Sequence, residues 1–292
     1  MALLAAMRPL QWSKNVLVFA VPVAAGEITD LVVLRDTVGA FVAFCMAASA
    51  TYLLNDAGDV DADRRHPVKR NRPIAAGELS VGTARLVAAV LLVASLALAA
   101  LIEVDLAVTV VSYLALTTAY TLWLKHQPIL DIVAVAAGFV LRAIAGATAT
   151  GLPISEWFFI VASFGALLMV TGKREGERAE LGEAEAAAVR ATLGAYSTSY
   201  LIFLRGVSTA VVLVGYALWA FASAAQAASS DTVATVFFEI SIVPFSIAIL
   251  RYALLIDQGR GAEPEHLVLA DRTLQVAGLA WAIIYGYGVY LA

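Results

Sequence analysis

Asn55, Asp56, Asp59 and Asp63 follow one another at i, i+1, i+4 and i+8. On a helix that continues past the end of the apolar run before them, Asn55, Asp59 and Asp63 share one stripe. Asp56 then lies three residues before Asp59, and Asp61 points elsewhere. Carboxylates stacked at this spacing repel one another, and a divalent cation is what neutralises them. Mg²⁺ takes one or two carboxylates together with substrate phosphate oxygens and keeps several waters. The stripe therefore reads as a site for Mg²⁺ bridged to a diphosphate, with a solvated acidic cap as the plainer alternative.

Arg64, Arg65, His66, Lys69, Arg70 and Arg72 come next, then Pro73-Ile74-Ala75-Ala76-Gly77. Basic groups beside such a site bind non-bridging oxygens and stabilise a leaving group. They serve membrane topology as well. Residues 55–72 and 173–190 carry nine charged side chains each, and each window follows an apolar run. That hints at an internal duplication, although no residue pattern is shared. The histidines at 66, 126 and 266 are dispersed, and no Ser-His-Asp or Cys-His arrangement is evident.

The elements that must position these residues follow from composition. The chain has 292 residues, 61% of them hydrophobic and 14% charged, with a mean hydropathy of +0.85. This excludes a soluble enzyme of ordinary design and a disordered chain. A net charge of −4 gives no support to a nucleic-acid partner. Cys45 is the one cysteine, so there is no disulfide framework and no zinc cluster. Nine runs of membrane-crossing length lie near 14–29, 38–54, 83–102, 106–124, 129–150, 156–172, 200–224, 233–255 and 272–291. The first has signal-peptide-like flanks, but a polar lead-in and eight further runs argue for a span. With the N-terminus inside, 17 of the 19 Lys and Arg fall in inside segments, Arg190 among them, while outside loops are acidic, as at Asp231. The expectation is an all-α integral membrane protein, one domain over 1–292 with nine transmembrane helices and a cytoplasmic N-terminus. Its long, charged cytoplasmic loops lie near 55–82, 173–199 and 256–271, which makes the working face cytoplasmic.

Asn55-Asp56-x-x-Asp59-x-x-x-Asp63 after the second span resembles the first aspartate motif of the UbiA-type prenyltransferases, intramembrane enzymes with nine helices. One branch is resembled closely by Arg8-Pro9-Leu10-Gln11-Trp12-Ser13-Lys14-Asn15 and by the stretch from His66 to Gly77. Asp131 with Ala137–Arg142, and Gly172-Lys173-Arg174, add to that likeness. The resemblance implies Mg²⁺-dependent transfer of 5-phosphoribose from phosphoribosyl pyrophosphate to a polyprenyl (decaprenyl) monophosphate, in a bacterial plasma membrane. The product would feed synthesis of cell-wall arabinan precursors. The family's second motif, DxxxD after the sixth span, is replaced by Lys173-Arg174-Glu175-Gly176-Glu177-Arg178. A basic residue there suits a donor with an additional phosphate.

On this resemblance Asp56, Asp59 and Asp63 hold Mg²⁺ and its water, with Asn55 orienting them. Arg8 and Lys14 are candidates for phosphate recognition, with membrane-interface anchoring beside Trp12 as the alternative for both. Lys69, Arg70 and Arg72 contact diphosphate, and Lys173 and Arg174 the 5-phosphate. Lys125 and Asp131 are substrate-binding candidates at the start of the fifth span, whereas Tyr120 and Tyr196 read as packing residues. Arg142 lies mid-span, where a charge is costly unless paired or facing water. An ion pair with Glu239, a place in the cavity wall and a subunit interface in a homo-oligomer are all open to it. Two other readings stand beside this one: an aromatic-acceptor prenyltransferase of the same superfamily, and a membrane transporter.

Overall fold

The computed structural model describes residues 1–189, 191–227 and 232–291. Arg190, Asp231 and Ala292 lie outside the described residues, as do the side chains of 182–191, Thr232, Glu265 and His266. No strand occurs among the described residues. Seven described helices are long and apolar enough to cross a membrane. Large apolar side chains stand open along them, as at Leu86, Val93, Leu101, Val214 and Ile283. Water does not tolerate so much exposed apolar surface, and lipid does. This is a multi-pass membrane protein.

The chain divides into two compact units, the first comprising residues 1–122 and 141–153. It begins with α1 (Ala2–Met7), a 3₁₀ run over Pro9–Phe19, and α2 (Ala20–Ala24). The expected first span at 14–29 is thus not one α-helix. Pro22 has no N–H for the carbonyl of residue 18 and its ring crowds that carbonyl. The freed Val18 oxygen instead lies against Gly146, where any Cβ would overlap it. Next come α3 (Leu31–Gly58), started by the Asp30 side chain on the N–H groups of Val32 and Val33, and α4 (Val60–Arg65). After a loop, α5 (Val81–Ile102) and α6 (Val104–Leu122) follow. Val18, Phe44, Leu106, Val110 and Ala145 form one core of this unit. Leu53, Ile74, Ala84 and Ala88 belong to another, beneath the 66–80 loop.

The second unit comprises residues 123–140 and 154–292. The helix α7 (Leu130–Thr150) gives its first residues to this unit and its last to the other. Then come α8 (Glu156–Val189), α9 (Ala191–Ala195), α10 (Thr198–Ala227) and α11 (Thr232–Leu255). A π-helical turn over Ile256–Arg260, α12 (Pro264–Ala270) and α13 (Arg272–Tyr290) complete the chain. The expected loop at 173–199 is mostly helix, because α8 runs on through a segment of Ala and Glu, both strong helix formers. Lys173 and Arg174 also pair with Glu177 along the same helix. Likewise α3 and α4 occupy the start of the expected 55–82 loop, and the π turn and α12 fill much of 256–271.

Candidate functional site

In the first unit, the N-terminal string lies antiparallel along α3, and its polar side chains fix the register. Arg8 Nη2 donates to both Asp56 oxygens at 2.7 and 2.9 Å. Trp12 Nε1 donates to Ser49 Oγ at 3.0 Å, and Ser49 Oγ donates to the Met7 carbonyl at 3.1 Å. Asn15, fully buried, donates from Nδ2 to Cys45 Sγ at 3.2 Å. Arg8 adopts the left-handed region, φ 55° and ψ 62°, a conformation a non-glycine residue holds only when its surroundings impose it. It also lies over the Tyr52 ring, 4.7 Å from the centroid.

The aspartates sit where α3 breaks into α4. Asp59 marks the break at φ −94° and ψ 9°, next to the helix-weakening Gly58. Hydrogen bonds still run through it, from Asp59 N–H to the Asn55 carbonyl and from Asp63 N–H to the Asp59 carbonyl. Asp56 and Asp63 are buried, Asn55 is half-buried, and Asp59 is exposed. Arg72 Nη1 bridges the two buried carboxylates, 3.1 Å from Asp56 Oδ1 and 2.7 Å from Asp63 Oδ2. The Asp61 side chain is 84% exposed and lies 3.5 Å from Arg64 Nη1. Lys69 and Arg70 are exposed in a 3₁₀ turn. His66 serves that loop, its Nδ1 accepting from the N–H groups of Val68 and Lys69. Lys14 Nζ donates to Gln11 Oε1 at 2.7 Å.

Deeper in the same unit, Arg142 is 8% exposed. Its Nε donates to Asn15 Oδ1 at 2.7 Å and its Nη2 to Tyr113 OH at 3.0 Å, with the guanidinium 4.8 Å from the Tyr113 ring centroid. Hydrogen bonds of this kind are what make a charge tolerable at such depth. Glu239, the ion-pair candidate for Arg142 in the sequence, is an exposed residue of α11 in the second unit.

In the second unit, Asp131 is fully buried in the first turn of α7. Tyr196 OH donates to its Oδ1, and that hydroxyl accepts from the Ile129 N–H at 2.6 Å. Thr192 Oγ1 lies 3.4 Å from both Asp131 Oδ2 and the Lys125 carbonyl oxygen. Arg174 Nε is 3.4 Å from Asp131 Oδ2, and its Nη1 donates to Glu177 Oε2 at 2.7 Å. Burial, then the bond to Asp131, raises the Tyr196 hydroxyl well above a tyrosine's usual range. This network holds Ile129 at φ 72°, a rare conformation for a β-branched residue. Lys173, 47% exposed, approaches Glu177 at 4.0 Å. Next along α8, Glu175 lies 3.4 Å from Arg205 Nε, and Arg205 also holds Asp257 at 2.6 Å.

Residues 16–272 match the UbiA prenyltransferase family. The chain belongs to that family. A decaprenyl-phosphate phosphoribosyltransferase of Corynebacterium glutamicum is 46% identical over 290 residues, covering 98% of this chain and 86% of that one. The protein of the same description from Mycobacterium tuberculosis is 46% identical over 288 residues, covering 97% and 93%. A UbiA homologue from Archaeoglobus fulgidus, solved with GPP and Mg²⁺, superposes with a TM-score of 0.70 at 20% identity over the whole of both chains. That likeness establishes a UbiA fold.

The donor set at Asp56 and Asp63 suits a divalent cation such as the Mg²⁺ with which the Archaeoglobus fulgidus homologue was solved. A single cationic nitrogen already lies within 3.1 Å of one oxygen from each carboxylate. Among the described residues no three acidic, imidazole or thiol groups converge to hold a metal by themselves, so phosphate oxygens would complete the shell, as is usual for Mg²⁺. Of the expected site residues, Arg8, Arg72, Asp56 and Asp63 form one cluster, and Asp131 and Arg174 belong to another. Sequence reasoning did not find Asn15, Tyr113, Thr192 or the Tyr196 hydroxyl as partners. Only the mid-span Arg142 signalled that some buried polar group had to meet it.

Proposed function

We propose that this chain catalyses Mg²⁺-dependent transfer of 5-phosphoribose from phosphoribosyl pyrophosphate to a polyprenyl monophosphate. It is a pentosyltransferase acting as one catalytic domain, and the product enters synthesis of cell-wall arabinan precursors. The observation that carries this reading is the pair of buried carboxylates, Asp56 and Asp63, gathered with Arg8 and Arg72 at the end of α3. The near-full-length identity to the two phosphoribosyltransferases supports the donor and acceptor. Asp56, Asp63 and Asp59 would hold Mg²⁺, which would supply positive charge to the departing diphosphate. Arg8 and Arg72 offer forked N–H groups to its oxygens, and Lys69 and Arg70 add exposed positive charge. Asn55 orients the aspartates. An acceptor phosphate oxygen bonds to ribose C1 as the C1–O bond to diphosphate breaks. The acceptor is already an anion at neutral pH, so no general base is required, and positioning does most of the work. Lys173 is assigned to the ribose 5-phosphate from chain order alone.

Membranes containing the protein, given Mg²⁺, a polyprenyl phosphate and phosphoribosyl pyrophosphate labelled in the ribose, should pass the label into lipid. Lys173→Ala should raise the apparent KM for the sugar donor by about tenfold and leave that for the lipid unchanged. Label passing from a prenyl diphosphate to an aromatic acid, with phosphoribosyl pyrophosphate inert, would instead establish the prenyltransferase reading. Donor left intact over hours beside acceptor and metal sinks the glycosyl transfer.

We also assign nine spans with the N-terminus and the active face cytoplasmic. The 3₁₀ run and α2 serve as the first span and α13 as the ninth. Eleven residues at the longer 3₁₀ rise and five at the α rise together extend roughly 30 Å, enough for the hydrocarbon core. A reporter after Ala292 should read as extracytoplasmic and one in 183–190 as cytoplasmic. The same side for both refutes the count.

A further inference from the structure

Arg72 and Arg8 neutralise the two buried aspartates completely. The carboxylate side chains are 5% and 4% exposed, whereas both guanidinium side chains are about 30% exposed. The acids are therefore fixed in the interior, and the bases reach them from the edge. A divalent cation placed between Asp56 and Asp63 with both arginines still seated would put four positive charges against two negative ones, away from water. Cations at that separation repel strongly in a poorly solvated place. Arg72 Nη1 also occupies the position between the two carboxylates that the cation would need. It must leave first, and leaving costs two charge-assisted hydrogen bonds. A diphosphate lowers that cost, because its oxygens accept the same forked N–H groups.

We propose that Arg72, seconded by Arg8, is a stand-in cation that keeps metal out of the aspartate pair until a diphosphate arrives to receive the guanidinium. Cation and diphosphate then bind as a coupled pair, and the coupling is reciprocal. The inference rests on the reading of Asp56 and Asp63 as the cation site. It makes Arg72 a positioning residue in the unloaded protein and a diphosphate contact in the loaded one. The exchange needs only side-chain rotation. Arg72 is the residue before Pro73, held extended at φ −65° and ψ 141°, and its carbonyl is fixed by the Ala76 N–H at 2.8 Å.

The test uses the purified full-length chain, Mn²⁺ as the metal probe read by electron paramagnetic resonance, and inorganic pyrophosphate as the diphosphate probe. The wild type should bind Mn²⁺ alone weakly and the preformed Mn–pyrophosphate complex about tenfold or more tightly. Arg72→Gln should move the two affinities in opposite directions, tightening Mn²⁺ alone by about tenfold and weakening the complex by a similar factor. A merely structural brace predicts that both weaken, and Arg72→Gln leaving Mn²⁺ affinity unchanged overturns the proposal equally. If that variant does not fold, the wild type decides: equal affinity for Mn²⁺ and for its pyrophosphate complex overturns the exchange. Asp56→Asn and Asp63→Asn are the control on the underlying reading. If both bind metal and complex as the wild type does, the aspartates are not the cation site, whatever Arg72 does.

Discussion

Asp56→Asn and Asp63→Asn each lower turnover by at least about a hundredfold, and Asp61→Asn stays within about twofold of the wild type. On the proposed function the two buried aspartates would receive a cation and its diphosphate, and an amide there would neither coordinate as well nor answer Arg8 and Arg72. Asp61 lies on the outer side of α4, 84% exposed, where a lost charge is of small consequence. Asp59 separates two explanations. It is exposed, yet its spacing places it with the other two. If Asp59 joins Asp56 and Asp63 in holding the cation, as proposed, Asp59→Asn should cost turnover by a factor close to that of its neighbours. Steady-state rates of label transfer at saturating Mg²⁺ measure all four. Equal losses at Asp59 and Asp61 would show that general acidity of the loop matters, and not the helical spacing.

Asp131→Ala should cost about 3 kcal/mol of stability, which removal of one partner from a buried ion pair typically does. Asp131 is the common partner of Arg174, Tyr196 and Thr192, so its loss leaves buried donors facing a gap. Tyr196→Phe should cost about 1 kcal/mol, the net worth of an ordinary hydrogen bond, and Lys173→Ala almost nothing. Denaturation midpoints in detergent rank the three variants. The pH dependence has a definite sign. The folded Tyr196 hydroxyl titrates above its unfolded value of 10, so its contribution is complete below pH 10 and is lost as pH rises further. If Asp131→Ala kept its midpoint and lost affinity for the sugar donor, the aspartate would be a substrate contact, as its place in the sequence suggests.

Residue type and spacing make the membrane class and the long central spans readable, because each rests on a local rule. Apolar runs of sufficient length form α3, α5, α6, α7, α8, α10 and α11. The i, i+4, i+8 spacing coincides with backbone hydrogen bonds from Asp59 to Asn55 and from Asp63 to Asp59, across the break between α3 and α4. What the sequence conceals is pairing at long range. Nothing near Asn15 shows that its amide lies between Cys45 and Arg142, and nothing near Tyr196 shows that its hydroxyl answers Asp131. The 3₁₀ run is hidden for the same reason: Pro22 is visible, but Gly146, which accommodates the displaced Val18 carbonyl, lies more than 120 residues away. Helical continuation at 173–189 was legible in its Ala and Glu residues, and their charge disguised it as a loop.

Asn15 shields the one thiol of the chain. Cys45 is 6% exposed on α3, so a maleimide dye that fluoresces on conjugation stays dark while the N-terminal strap holds its register. Signal appears when the strap separates from the helix, from a single position and with no competing cysteine to subtract. The natural sequence is accordingly its own unfolding reporter, and a Cys45→Ser background leaves every other position open to single-site spin or fluorophore attachment.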